Sequence, residues 1–292
     1  MKLKVLVENV KNKFKKIPKP FIGVIIAILV LISPLLSNKV TFGHDYVFHV
    51  TNNLVNHGYL NIFEFKFFIP KIFGSTIANG LGYGTGIFYP PLSYHLTSYI
   101  SYFLNLSYQN SVLAISYSQI LILILSAIVM YKFVKRISSD NYVAALSSVS
   151  YISYTYFLCT LYTRTAIGEG LMSIFLPLVL YGLYELFYGD DKKFISLFVI
   201  GYTGMILSHL VLSVFITFII LIIFLFNIKK VLKKEKIKKL GISSILILLI
   251  TNSVNLGLQI LLSATFCKYS RYLSLRIKKS LIIFESIFFP SR

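Results

Sequence analysis

The sequence predicts an all-α fold: a polytopic membrane helix bundle of about seven spans, with a large first external loop containing juxtamembrane helices. Three observations predict it. Hydrophobic residues make up 56% of the 292 positions and charged residues only 13%, whereas a soluble domain carries about 25% charge. Mean hydropathy is +0.76, and several apolar runs are long enough to cross a hydrocarbon core of about 30 Å. The basic residues gather in short clusters between those runs, as cytoplasmic connectors do under the positive-inside rule.

That clustering decides how the net charge of +19 is read. A nucleic-acid binder spreads its lysines over a polar face; here they punctuate apolar segments, so nucleic acid is excluded as a partner. The two cysteines, Cys159 and Cys267, have neither metal-ligand spacing nor a disulfide pattern and are read as packing residues.

The first 20 residues hold seven lysines and form a basic cytoplasmic N-terminus. Phe21–Ser37 follows directly, with no small-residue cleavage site behind it, and is a retained first span leading outward. The next basic cluster, Lys132, Lys135 and Arg136, belongs inside, so Ser111–Tyr131 enters from outside as span 2. Residues 38–110 are then one external loop. Within it, Tyr94–Leu106 is apolar but reaches only about 20 Å as a helix. It is expected on the outer interface or as a re-entrant element, with its tyrosines at headgroup level.

Span 3, Tyr142–Tyr162, runs outward and span 4, Gly170–Phe187, returns to Asp190, Asp191, Lys192 and Lys193. From Ile195 to Ile228, 34 residues separate two lysine clusters that both belong inside. The run is therefore an outward and an inward span, broken near Ser208-His209. After the cluster from Lys229 to Lys239, span 7 leaves outward from Leu240 to about Ala264. The region 21–264 is thus the transmembrane unit. The tail 265–292 breaks the rule, because Lys268, Arg271, Arg276, Lys278, Lys279 and Arg292 would all lie outside. It is read as either an interfacial helix or, preferably, non-native sequence.

This topology delivers Asp45, Glu64, Arg164 and Glu169 to the outer side, where ionisable groups at a membrane boundary default to functional candidates. In Gly43-His44-Asp45-Tyr46-Val47-Phe48-His49, Asp45 and His49 fall four apart on one helix face. They could share a proton or a divalent metal; alternatively Asp45 caps a helix. Arg164 has the forked donors that suit a phosphate, with Glu169 orienting it or acting as acid or base, unless the two form a plain interfacial ion pair. His209 is either part of the same site or a histidine donating to a neighbouring helix. The glycine run Gly80 to Gly86 lacks the lysine and the βαβ setting of a phosphate loop and is read as a turn into Tyr89-Pro90-Pro91-Leu92. The Pro-Pro step starts a helix, and Tyr89 is an aromatic able to stack on a sugar.

Taken in order, these pieces resemble a known family. They are Gly-His-Asp-x-x-x-His after span 1, Gly-Tyr-Gly-x-Gly-x-Phe-Tyr-Pro-Pro-Leu, Tyr-x-Arg-x-Ala-x-Gly-Glu after span 3, Phe-Leu-Pro-Leu-Val-Leu-Tyr-Gly-Leu-Tyr-Glu, and Ser-His ending span 5. Over about residues 20 to 250 the chain resembles the 6-pyruvoyl-tetrahydropterin synthase-related membrane proteins, which are similar to GT-C polyprenyl-phosphate-sugar glycosyltransferases. No soluble domain with a zinc-binding histidine set supports the pterin part of that label. The GT-C resemblance implies a catalytic acidic residue at Asp45, a juxtamembrane helix started at Pro90, Pro91 and Leu92, and a lipid-phosphate loop at Arg164 to Glu169. The acidic motif departs from the family's Asp-Asp, Asp-Glu or Glu-x-Asp, and relatives are longer, so the chain looks like an N-terminal portion.

The resulting expectation is a cell-membrane glycosyltransferase taking a sugar from a polyprenyl-phosphate donor at the outer face, among membrane lipids. Asp45 and Glu169 would be catalytic, and His44, His49, Tyr89, Arg164 and His209 substrate-binding. No metal ligand set or firm cofactor is assigned. The alternative is an envelope transporter or lipid-binding scaffold; its usual midplane polar groups are scarce in these spans.

Overall fold

The computed structural model of the chain describes residues 17–36, 43–56, 89–107, 109–189 and 193–252. Every regular element among them is helical. Three helices are long and apolar enough to cross a membrane: α1 (Lys19–Ile32) with its 3-10 extension Ser33–Leu36, α4 (Leu113–Ser138) and α7 (Ile167–Phe187). Between α1 and α4 lie α2 (Tyr46–Asn56) and α3 (Leu92–Phe103). After α4 come α5 (Asn141–Ser153) and the single turn α6 (Thr155–Leu158). Beyond α7 follow α8 (Phe194–Ser208), α9 (Leu210–Phe226) and the short α10 (Ile228–Val231), and residues 234–252 are helical.

The helices begin and end where local chemistry requires. Pro18 precedes α1 and Pro91 precedes α3, each fixing φ near the value a first turn needs. Ser139 closes α4 in the left-handed region at φ 58°, with Lys135 and Arg136 in the last turn, where cations suit the helix dipole. The next residue, Asp140, opens α5 by accepting from the Tyr142 and Val143 amides at 2.6 and 3.3 Å. A tight helical hairpin results.

Two apolar cores share α7. One joins α1, α4 and α5 through Val24, Ile28, Ile122, Ala127, Ala144 and Ile174. The other joins the far half of α7 to α8, α9 and the 234–252 helix through Val179, Leu183, Phe198, Met205, Ile220 and Ile247. Helices α7 and α8 approach closely at small residues. A Cβ on Gly201 would meet the Val179 amide nitrogen at 2.8 Å, and one on Gly182 the Phe198 amide nitrogen at 2.9 Å.

At one end of α7 the Arg136 guanidinium grips the fully buried Glu185 carboxylate at 2.6 and 3.1 Å. Lys236 donates to the Leu186 carbonyl nearby, and Lys230 lies 3.6 Å over the Tyr188 ring. Arg136, Lys230 and Lys236, from two of the basic clusters of the sequence, thus meet at this end.

The break expected near Ser208-His209 falls there, His209 being the extended residue between α8 and α9. Two expectations need correction. Tyr142–Tyr162 is not one uninterrupted helix: Tyr154 is extended (φ −70°, ψ 143°), and the path continues through α6 into a π turn, Cys159–Thr163. The run Tyr151 to Thr155 is rich in groups that bond locally to backbone, and no proline or glycine marks the break. Likewise, of the two placements expected for Tyr94–Leu106, the surface one with tyrosines outward holds for Tyr102, which is exposed, and not for Tyr94, which is buried. Its helix, α3, buries Ser93, Tyr94, Thr97, Ser98 and Ser101 and packs on α2 and α4. The expected span to Ala264 is helical as far as residue 252; its remainder, the tail with Cys267, Glu64 and the Gly80 to Gly86 run lie outside the described residues.

Candidate functional site

Opposite the Arg136–Glu185 end, the chain reverses between α6 and α7 in a tightly wound turn. The Arg164 amide donates to the Cys159 carbonyl at 2.9 Å, closing the π turn, and the Ala166 amide to Thr160 at 2.9 Å. Between them Thr165 sits at φ 57° with its hydroxyl buried and unpaired. A β-branched residue in that region costs about 1–3 kcal/mol, so the surroundings must enforce it. Single π turns of this kind recur at functional sites.

The enforcing partner is the segment after α1. The Asp45 amide donates to the Arg164 carbonyl at 2.8 Å, and the His44 amide to Thr163 at 3.4 Å. Gly43 makes the approach possible: a Cβ there would meet the Arg164 carbonyl carbon at 2.7 Å and its oxygen at 2.8 Å, besides the Thr165 hydroxyl. Residues 45 and 164 are therefore fixed backbone to backbone.

Arg164 turns its guanidinium to Glu169, in the first turn of α7, at 2.6 Å; the arginine is 36% exposed and the carboxylate 8%. Tyr156 donates its hydroxyl to the other Glu169 oxygen and lies within hydrogen-bond reach of Arg164. Glu169 thus uses both oxygens inside the protein. The Asp45 carboxylate has no hydrogen-bond or ion-pair partner among the described residues.

Tyr89 joins from the α3 side. A Cβ on Gly168 would meet its hydroxyl at 2.6 Å and the Ser208 carbonyl at 2.7 Å, so the phenol, the start of α7 and the α8–α9 break converge. Burial, then the negative charges of Asp45 and Glu169, push the Tyr89 phenol up to about 12, keeping it a neutral donor. His209 caps α9, its Nδ1 accepting from the Leu212 amide at 3.2 Å. Burial lowers its basicity, while Glu169, Arg164 and Asp45 all act electrostatically on the ring. The positive ends of α7 and α9 open beside one another here.

Five of the seven expected site residues, Asp45, Tyr89, Arg164, Glu169 and His209, come together. The other two differ. His44 is exposed with no side-chain partner among the described residues. No side-chain hydrogen bond joins His49 to Asp45 among the described residues. His49 is buried, its ring packs 6.3 Å from Tyr89, both nitrogens are unpaired, and burial holds it neutral, down to about 4. Nor, among the described residues, does His209 donate to a neighbouring helix; its Nδ1 accepts from the helix it caps. Among the described residues no group of three or more histidine, cysteine or acidic side chains could hold a metal ion.

Tyr156 escaped the sequence reading. It sits in a run of tyrosines that membrane interfaces commonly carry, and only the turn separating it from Arg164 sets it apart.

The site holds two carboxylates, one guanidinium, two neutral phenols and a neutral imidazole. One carboxylate is unoccupied beside a fixed cation and several donors, an arrangement able to take a proton at one point and receive negative charge at another. Comparison with known family models, curated proteins and solved structures finds no match to this chain.

Proposed function

We propose that the chain is a GT-C-like membrane glycosyltransferase acting on a polyprenyl-phosphate-linked sugar at the outer face. In this reading seven spans place the N-terminus and the lysine connectors in the cytoplasm, and the Asp45–Arg164 cluster faces outward. The observation that carries it is the convergence of Asp45, Tyr89, Arg164, Glu169 and His209 from four separate segments, at the end of the bundle away from the Arg136–Glu185 pair and Lys236.

The chemistry follows from which groups are free. Asp45, the carboxylate without a partner, accepts the proton of the acceptor hydroxyl as that oxygen attacks the anomeric carbon. The bond from the anomeric carbon to the phosphate oxygen breaks, and its electron pair stays on the polyprenyl phosphate. Arg164, the α7 and α9 termini and the neutral donors Tyr89 and His209 meet that developing charge. Glu169 and Tyr156 hold Arg164 and do not touch the reacting atoms.

The test is transfer of radiolabelled sugar from polyprenyl-phosphate donors by the protein in nanodiscs, with Asp45→Asn as the diagnostic variant. Loss of transfer with retained binding of polyprenyl phosphate is expected. Binding without transfer by the unaltered protein would favour a lipid-binding scaffold instead.

A further inference from the structure

The geometry points to His209 as a tautomer-locked hydrogen-bond donor whose Nε2–H meets an anionic phosphate oxygen of the lipid ligand, an inference that rests on the lipid-phosphate reading above. Nδ1 accepts the Leu212 amide at the third position of α9, with the ring's own backbone carbonyl also nearby; with that amide proton directed at Nδ1, the neutral ring carries its own proton on Nε2. An imidazolium would point a proton at that amide and lose the cap. Nε2 makes no hydrogen bond among the described residues and the ring is half-buried.

The ring is held in place on its backbone side too. His209 is extended at φ −156°, its amide donates to Met205 at 3.0 Å, and its carbonyl accepts from the Ser213 amide and hydroxyl at 3.1 and 2.8 Å. The preceding Ser208 carbonyl abuts Gly168, setting the ring beside the first turn of α7 and the Arg164–Glu169 pair. A donor fixed in this way cannot act as a base at Nε2, which leaves Asp45 as the proton acceptor of the site. It offers a preset N–H where negative charge develops.

Two measurements test this. In nanodiscs with 15N-labelled histidine, the His209 resonances, assigned by their loss in His209→Asn, should show a protonated Nε2 and an unprotonated Nδ1. Adding a polyprenyl monophosphate should move Nε2 and leave Nδ1 unchanged. A proton on Nδ1, or an unmoved Nε2 while the lipid phosphate binds, overturns the donor role and leaves the site reading standing. No binding by the unaltered protein overturns the site reading and the donor role with it.

The second measurement compares two variants. Asparagine can keep the cap oxygen without a donor at the Nε2 position, whereas glutamine places an amide near Nε2 and caps poorly. His209→Asn should bind polyprenyl monophosphate about tenfold more weakly, as expected for one lost bond to a charged group, with near-unchanged melting. His209→Gln should bind more tightly than His209→Asn yet melt lower. Equal binding by the two variants, with His209→Gln still melting lower, would make His209 a cap and nothing more.

Discussion

Glu169 shows how a residue's partners define its role. A carboxylate with one oxygen on Arg164 and the other on Tyr156 is a brace for the guanidinium, not a free acid or base. Ordering an arginine side chain costs up to about 2 kcal/mol of rotamer entropy, which the brace supplies before ligand arrives. Glu169→Gln should therefore weaken polyprenyl-phosphate binding about tenfold, measured with radiolabelled lipid in nanodiscs. If the pair merely quenched the arginine's charge, the same variant would bind more tightly. His49 and His95 make a different prediction. His49 is buried and His95 partly buried, desolvation lowers each to about 4, and each has an unpaired, buried ring nitrogen. The unfolded chain therefore binds more protons than the fold between about pH 6.5 and about pH 4, and stability falls as pH drops through that window, by up to about 3 kcal/mol per ring. His49→Phe should raise the melting temperature at pH 7, because it removes unpaired buried polar atoms costing about 1–3 kcal/mol. It should also remove roughly half of the acid slope.

At the scale of elements, the site depends on a loop segment lying flat against a wound turn. Gly43 permits it and Thr165 bears the strain. Gly43→Ala puts a methyl where the Arg164 carbonyl stands, so the Asp45–Arg164 backbone bond must open and the two side chains part. Transfer should fall at least about tenfold, while the thermal unfolding of the bundle, whose cores do not include residue 43, stays close to that of the unaltered protein. Elements of this kind divide into those the sequence displays and those it hides. The break at His209 was legible because 34 apolar residues between two lysine clusters must turn once, and α3 was legible because Pro-Pro announces a helix start. The interruption at Tyr154 was not, since tyrosines, serines and threonines carry no helix-ending signal strong enough to outweigh an apolar run. The burial of Tyr94 and the Tyr156–Glu169 contact were hidden for a further reason: both depend on which neighbour covers a face, and a single sequence does not contain that.

For the whole molecule, the two ion pairs divide the bundle into ends. Glu169 and Glu185 stand sixteen residues apart on α7, about 24 Å along the axis, so Arg164 and Arg136 cannot share a membrane face if α7 crosses the bilayer. In the topology proposed above, lysine placement puts the Arg136 end in the cytoplasm. Asp45, bonded to the Arg164 carbonyl, must then lie outside, and this links the fold to the proposed chemistry, because an acceptor and a lipid-linked sugar both need that face. Exposed positions at each end allow a direct measurement: His44 beside Asp45, and Ser139 in the α4–α5 hairpin. In a background where Cys159 and Cys267 are serine, His44→Cys should react with a membrane-impermeant maleimide on intact cells. Ser139→Cys should react only after the membrane is opened. Equal labelling of both from one side would mean that α4 and α7 do not cross, and that Asp45 and Arg164 meet somewhere other than a sealed outer surface.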